Sequence, residues 1–169
     1  MIAGNAPRVP WLAPMVSALE RQNNNGAFLV LFDIYRPDLV RAMAHALSMH
    51  FIDFRKQYLL PLGREAARMP LARIDEVIAE TYQESSGLGA CEHKPKGIVL
   101  HNVEALLATR GRDERGRWMA RFIAEPVPAP VLVPLAVFAD EAPQAGDHVT
   151  RIDASGVPQE KLLFRLAGQ

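Results

Sequence analysis

The chain has 169 residues, the length of one domain with one core, and its 49% hydrophobic and 22% charged composition excludes a disordered protein. Nineteen basic and nineteen acidic residues cancel, so no global field draws it to nucleic acid or anionic lipid. The single cysteine, Cys91, excludes an intramolecular disulfide and a multi-cysteine zinc site. No apolar run is long enough for a signal peptide or a membrane span, so the expected location is the cytoplasm.

Trp11, Leu12, Met15, Val16 and Leu19 recur at helical spacing and predict a helix that ends at Asn23-Asn24-Asn25-Gly26. Residues 1–25 are thus expected to form an N-terminal helical segment packed on a core formed by 26–169. Phe28 to Phe32 is apolar without alternation, the pattern of a strand buried on both faces. Six loop-like residues follow, then a helix carrying Leu39, Met43, Ala46 and Leu47, with Pro37 and Asp38 at its start. Phe51 to Phe54 is a short strand, Lys56 to Arg68 a helical stretch, and Leu71, Ile74, Val77, Ile78 and Tyr82 one face of a further helix.

Glu84 to Lys96 is expected to be a loop and Gly97 to Leu100 a third strand. A helix through Val103, Leu106 and Leu107, an Arg-rich break, and a helix through Trp118, Phe122 and Ile123 come next. Val131 to Phe138 is a fourth strand, in which Pro134 predicts an edge, a bulge or an early end. A fifth strand over His148–Asp153 and a short helix through Leu162, Leu163 and Leu166 complete the pattern. Strands alternating with helices predict a three-layer α/β/α sandwich around a mainly parallel sheet of about five strands.

Ligands of such sheets bind beyond the C-terminal ends of the strands. Eight residues, Asp33-Ile34-Tyr35-Arg36-Pro37-Asp38-Leu39-Val40, fill the interval that a P-loop, G-x-x-x-x-G-K-[ST], fills between a buried strand and a helix. Asp33 and Asp38 stand at the glycine positions, Leu39 at the lysine and Val40 at the hydroxyl. After the third strand, His101 takes the place of the metal-supporting aspartate, followed by Asn102 and Glu104. A like charge 4 Å from a phosphate costs about 4 kcal/mol at an effective dielectric of 20, roughly a thousandfold in affinity. ATP and Mg²⁺ are therefore expected not to be cofactors, and ATP hydrolysis by this chain alone is not expected.

The run Ile98-Val99-Leu100-His101-Asn102-Val103-Glu104-Ala105-Leu106-Leu107 resembles the apolar-Asp-Asn-Ile-Glu-Leu-Leu segment of the BrxF family. These are small P-loop-containing proteins of type 3 BREX phage-defence systems, within the wider AAA+-like P-loop class. The resemblance implies an accessory subunit of a bacterial anti-phage or DNA-processing complex, acting through protein partners that include an active ATPase.

Two other functions compete. Arg110, Arg112, Arg115, Arg117 and Arg121 lie within twelve residues, opposed by Asp113 and Glu114. They could contact DNA phosphate or a neighbouring ATPase, or simply form a solvated helix face. Alternatively, His101 and Glu104 could be the catalytic residues of a rebuilt enzyme site, with His101 as a base oriented by a carboxylate. The plainer reading makes Asp38 a helix cap and His101 a satisfied core residue. Cys91-Glu92-His93 offers too few ligands for a metal, His45 and His50 do not share a helical face, and Gly87-Leu88-Gly89 is too short for a phosphate loop. No metal site is expected.

Overall fold

The computed structural model describes residues 9–87, 96–144 and 146–159. The expected helix at Leu162–Leu166, the Cys91-Glu92-His93 triplet and Leu88-Gly89 lie outside them. The protein is α/β, with five parallel strands: β1 (Ala27–Phe32), β2 (His50–Asp53), β3 (Ile98–His101), β4 (Val131–Leu135) and β5 (Val149–Ile152). They lie side by side in the order β2-β3-β4-β1-β5.

The helices are α1 (Ala13–Arg21), α2 (Pro37–Ala46), α3 (Ala72–Gly87), α4 (Glu104–Leu107) and α5 (Arg112–Ala124). The connection from β1 to β2 crosses the sheet in one direction, and those from β2 to β3 and from β3 to β4 in the other. Right-handed crossovers must then put α2 on one face and α3 and α5 on the opposite one. The packing follows this rule. Phe28, Val30 and Phe32 of β1 pack with α1 and α2, while Ala27, Leu29 and Leu31 pack with α3, α4 and α5. All six β1 residues are buried, because β1 is covered on both faces and flanked by β4 and β5.

Several boundaries differ from expectation. The Lys56–Arg68 stretch is a π turn (Arg55–Leu59) and a 3₁₀ segment (Leu60–Arg68) broken at Gly63, whose φ is 54° and ψ −123°. The chain expected to loop from Glu84 stays helical to Gly87. The Arg-rich break is confined to four residues between α4 and α5, so Arg112, Arg115, Arg117 and Arg121 are helical.

Of the three expectations for Pro134 the early end holds and the edge does not: β4 is central and stops at Leu135 instead of Phe138, pairing with β1 from Val131 to Leu135 but with β3 only at Val131 and Leu132. A proline has no N–H to donate, and it sits where the β3 ladder has already ended. Gly97 at the start of β3 is required by close approach, since a Cβ there would lie 2.5 Å from the Pro130 carbonyl oxygen. Trp118 anchors α5 as expected, 3% exposed and stacked on Phe122. No described helix is long and apolar enough to cross a membrane.

Candidate functional site

The link between β1 and α2 has four residues, 33–36, shorter than the six loop-like residues expected. Pro37 occupies the first helical turn, where its fixed φ suits the helix and its missing N–H is not needed. Asp38, Leu39 and Val40 are therefore helical. Leu39 and Val40 are 2% and 3% exposed, packed among Phe28, Phe32 and Met43. The positions of a P-loop's lysine and hydroxyl thus face the core.

Arg36 and Asp38 form a closed unit. The buried Arg36 guanidinium donates to both Asp38 oxygens at 2.9 and 2.7 Å, to the Val157 carbonyl at 2.9 Å and to the Ala154 carbonyl at 3.4 Å. The hydrogen bond from Arg36 holds the Asp38 carboxyl below its ordinary range, against the opposing effect of burial. Asp33 accepts a hydrogen bond from the Ala154 N–H at 3.2 Å. Both acidic residues at the glycine positions thus help tie β1 to the chain that follows β5.

A polar chain crosses the ends of β1, β3 and β2. Tyr35 donates its hydroxyl to the Asn102 oxygen at 2.9 Å, and the Asn102 amide donates to Asp53 at 3.1 Å. Asp53 also accepts the Lys56 N–H at 3.0 Å. Asn102 has φ +62°, a left-handed conformation that Asn tolerates better than most residues. The Tyr35 ring stacks on His101 at 5.8 Å, and the tilted Phe51 ring lies 5.6 Å from His101. His101 is 4% exposed, and burial lowers its pKa below the ordinary value, so it is neutral near pH 7.

The nearest polar contact of His101 is the Tyr35 hydroxyl, 3.4 Å from Nε2. The Asp53 carboxylate is held by Asn102 and the Lys56 N–H instead, so among the described residues no carboxylate is hydrogen-bonded to His101.

Glu104 closes the space above β4. One of its oxygens accepts the Ala136 N–H at 3.0 Å and the Phe138 N–H at 2.8 Å, satisfying backbone that β3 leaves unpaired. Burial pushes this carboxyl above its ordinary value, and the backbone donors pull it back part of the way. A raised folded pKa means that its contribution is full below the unfolded pKa and is lost as pH rises through the folded one. Glu104→Ala would orphan two partly buried donors and is expected to cost about 2–3 kcal/mol at pH 7. Glu104→Gln should keep most of the stability and flatten its pH dependence from the ordinary glutamate value of about 4.3 upward. Urea unfolding of the three proteins across that range checks both outcomes.

Tyr35, Arg36, Val40, His101, Asn102 and Glu104 do meet, around one cavity. Its volume of about 10 Å³ admits a single water at most. His101 and Glu104 are therefore brought together, as an enzyme site would need, but without room for a substrate. Among the described residues no group of three or more His, Cys, Asp or Glu could hold a metal. Tyr35 and Asp53 escaped the reading of the sequence. Their signal was position alone, since each lies in a segment that ends or leaves a strand.

The arginine cluster is largely engaged within the protein. Arg110 bonds the Met69 and Ala67 carbonyls and pairs with Glu114; Arg115 forks onto Glu141 at 2.7 and 2.6 Å; Arg121 bridges Asp75 and Glu125. Arg112 and Arg117 are exposed, but five residues apart they point about 140° away from each other around the helix. They do not form a stripe along which a phosphate backbone could run.

No protein-family model, curated protein or solved structure matches this chain.

Proposed function

We propose that this chain is an accessory, non-catalytic P-loop-like subunit that acts through contacts with other protein chains, in a setting such as a bacterial anti-phage or DNA-processing complex. The observation that carries the reading is the filled space beyond β1 and β3. Leu39 and Val40 face the core, Arg36 is neutralised by Asp38, Glu104 occupies the backbone donors after β4, and the residual cavity is water-sized. A triphosphate needs a cradle of N–H donors with a cation inside it; here Asp38 takes up the Arg36 guanidinium, Glu104 takes the N–H groups of Ala136 and Phe138, and Leu39 stands buried where the lysine would be. The all-parallel sheet, with the strand–helix order of the Ile98–Leu107 segment, supports the P-loop-like part of the reading.

The test is thermal unfolding with and without millimolar Mg-ATP, Mg-ADP and Mg-GTP. No shift is expected. A site with a dissociation constant near 10 µM would add about 2.7 kcal/mol at a hundredfold excess, which for a domain of this size raises Tm by roughly 5–10 °C. A rise of that size would overturn the proposal.

A further inference from the structure

The five large apolar side chains most exposed among the described residues are Ile34, Tyr35, Leu60, Leu62 and Val137, between 46% and 71% exposed. All five lie in segments that leave the C-terminal ends of strands. Ile34 and Tyr35 follow β1, Leu60 and Leu62 follow β2, and Val137 follows β4. Singly exposed apolar residues are normally scattered over a surface, whereas a group confined to one side marks a place of contact. This group marks the C-terminal edge of the sheet.

Charge along that edge is sorted by strand position. At the β2 end stand Arg55, Lys56 and Arg64, all exposed and without an ion pair among the described residues, against two engaged carboxylates, Asp53 held by Asn102 and the Lys56 N–H and Glu65 paired with Arg68. At the β1 and β5 end stand the exposed carboxylates of Asp33 and Asp153, beside the self-neutralised pair of Arg36 and Asp38. Arg112, Asp113 and Asp140 lie between the two ends. An edge that is basic at one end and acidic at the other, with exposed apolar side chains along it, is complementary to itself after a half-turn. That is the requirement of a two-fold contact, in which one patch meets its own copy. Net charge is zero, so no overall repulsion opposes the pairing.

We propose that the C-terminal edge of the sheet is a self-association surface, on which a second copy of this chain docks about a two-fold axis. The β2 end of one copy faces the β5 end of the other, and Ile34, Tyr35 and Val137 meet near the axis. This rests on the preceding reading, because a bound nucleotide would need the same edge open.

Sedimentation of the full chain over a range of concentrations tests it. The expected result is a reversible dimer that weakens as salt is raised. Val137→Lys, which alters a side chain 71% exposed, should leave a monomer with little change in Tm. Arg55→Glu with Arg64→Glu, and separately Asp33→Lys with Asp153→Lys, should each weaken self-association by about tenfold or more, since each turns attraction into repulsion at both ends of the contact. Mixing these two double variants should restore a heterodimer, an outcome specific to the two-fold arrangement.

A chain that stays monomeric at every concentration overturns the proposal, and so does a dimer indifferent to Val137→Lys. If the acidic-end variant fails to fold, the Val137→Lys result decides alone. Self-association and nucleotide response are read separately. A monomer whose Tm ignores Mg-ATP defeats this inference and spares the previous one, while a nucleotide-dependent Tm defeats the previous one.

Discussion

Leu39→Lys is expected to destabilise the protein by about 4 kcal/mol or more, through lost apolar packing and a buried, unpaired amine. The substitution puts back the residue type that a phosphate loop carries at this position, yet the side chain lies 2% exposed in the first turn of α2 against Phe28, Phe32 and Met43. A lysine there has no described carboxylate to meet, because Asp38 is already held by Arg36 at 2.9 and 2.7 Å. For a domain of this size the cost corresponds to a fall in Tm of about 10 °C.

The sign of its pH dependence is fixed by the same burial. A core that admits only the neutral amine lowers the folded pKa, so the variant should recover stability as pH rises toward the ordinary lysine value near about 10.4. Thermal unfolding at neutral and alkaline pH measures both effects. A variant as stable as its parent that also gains stability from Mg-ATP would show that the loop can open into a phosphate site.

Arg36→Ala should rank next, at about 3 kcal/mol, the lower end of the range for breaking a buried ion pair. The lower end applies because the Asp38 side chain keeps 24% of its exposure and sits in the first turn of α2, where the helix dipole favours an anion. The substitution also frees the Val157 and Ala154 carbonyls, so the chain after β5 loses its anchor. Arg36→Lys should restore only part of the loss, since an ammonium cannot fork onto two carboxylate oxygens while reaching two carbonyls.

Acid should narrow the gap between Arg36→Ala and the parent. The Asp38 carboxyl is held low by Arg36, so its contribution is present above the unfolded pKa and is lost as pH falls through the folded one. Urea unfolding at pH 7 and at about pH 3, below the ordinary carboxylate range, measures that convergence. Equal losses at both pH values would show that packing of the guanidinium matters and its pairing does not.

The layout of the fold was legible because its signals are local and redundant. Phe28 to Phe32 could only be a strand covered on both faces, and α2 announced itself with Pro37 and Asp38 ahead of an apolar stripe. The stretch from Arg55 to Arg68 was harder. Gly63 breaks a segment whose composition reads as helix, and a single left-handed backbone position leaves little trace in periodicity. The position of β4 was beyond reach, because Pro134 argues against a central strand unless one knows that β3 stops pairing at Leu132.

At the site, spacing located the right loops but not what fills them. The sequence marks Asp33 and Asp38 as charges that would repel a phosphate. It does not show that Arg36, two residues from Asp38, folds back to neutralise it, since that contact depends on carbonyls at Ala154 and Val157 more than a hundred residues later. The role of Glu104 is equally non-local, because its partners are the backbone donors of Ala136 and Phe138. The five arginines show the same limit. Their charge is plain in the sequence, while Glu141 and Asp75, which engage Arg115 and Arg121, are distant along the chain.

The place of β1 in the sheet has a consequence during synthesis. Its neighbours are β4 and β5, and the first matched pair joins Ala27 to Val131. At about 5–20 residues per second, a ribosome takes roughly 5–20 s to make the intervening chain. Throughout that time the most apolar strand of the protein has no sheet to enter, while β2 and β3, closer in the chain, can already pair. The nascent domain therefore carries a sticky segment until β4 emerges. The cover available to Ala27–Phe32 in that interval is α1 and α2, which emerge just before and just after it and pack on Phe28, Val30 and Phe32.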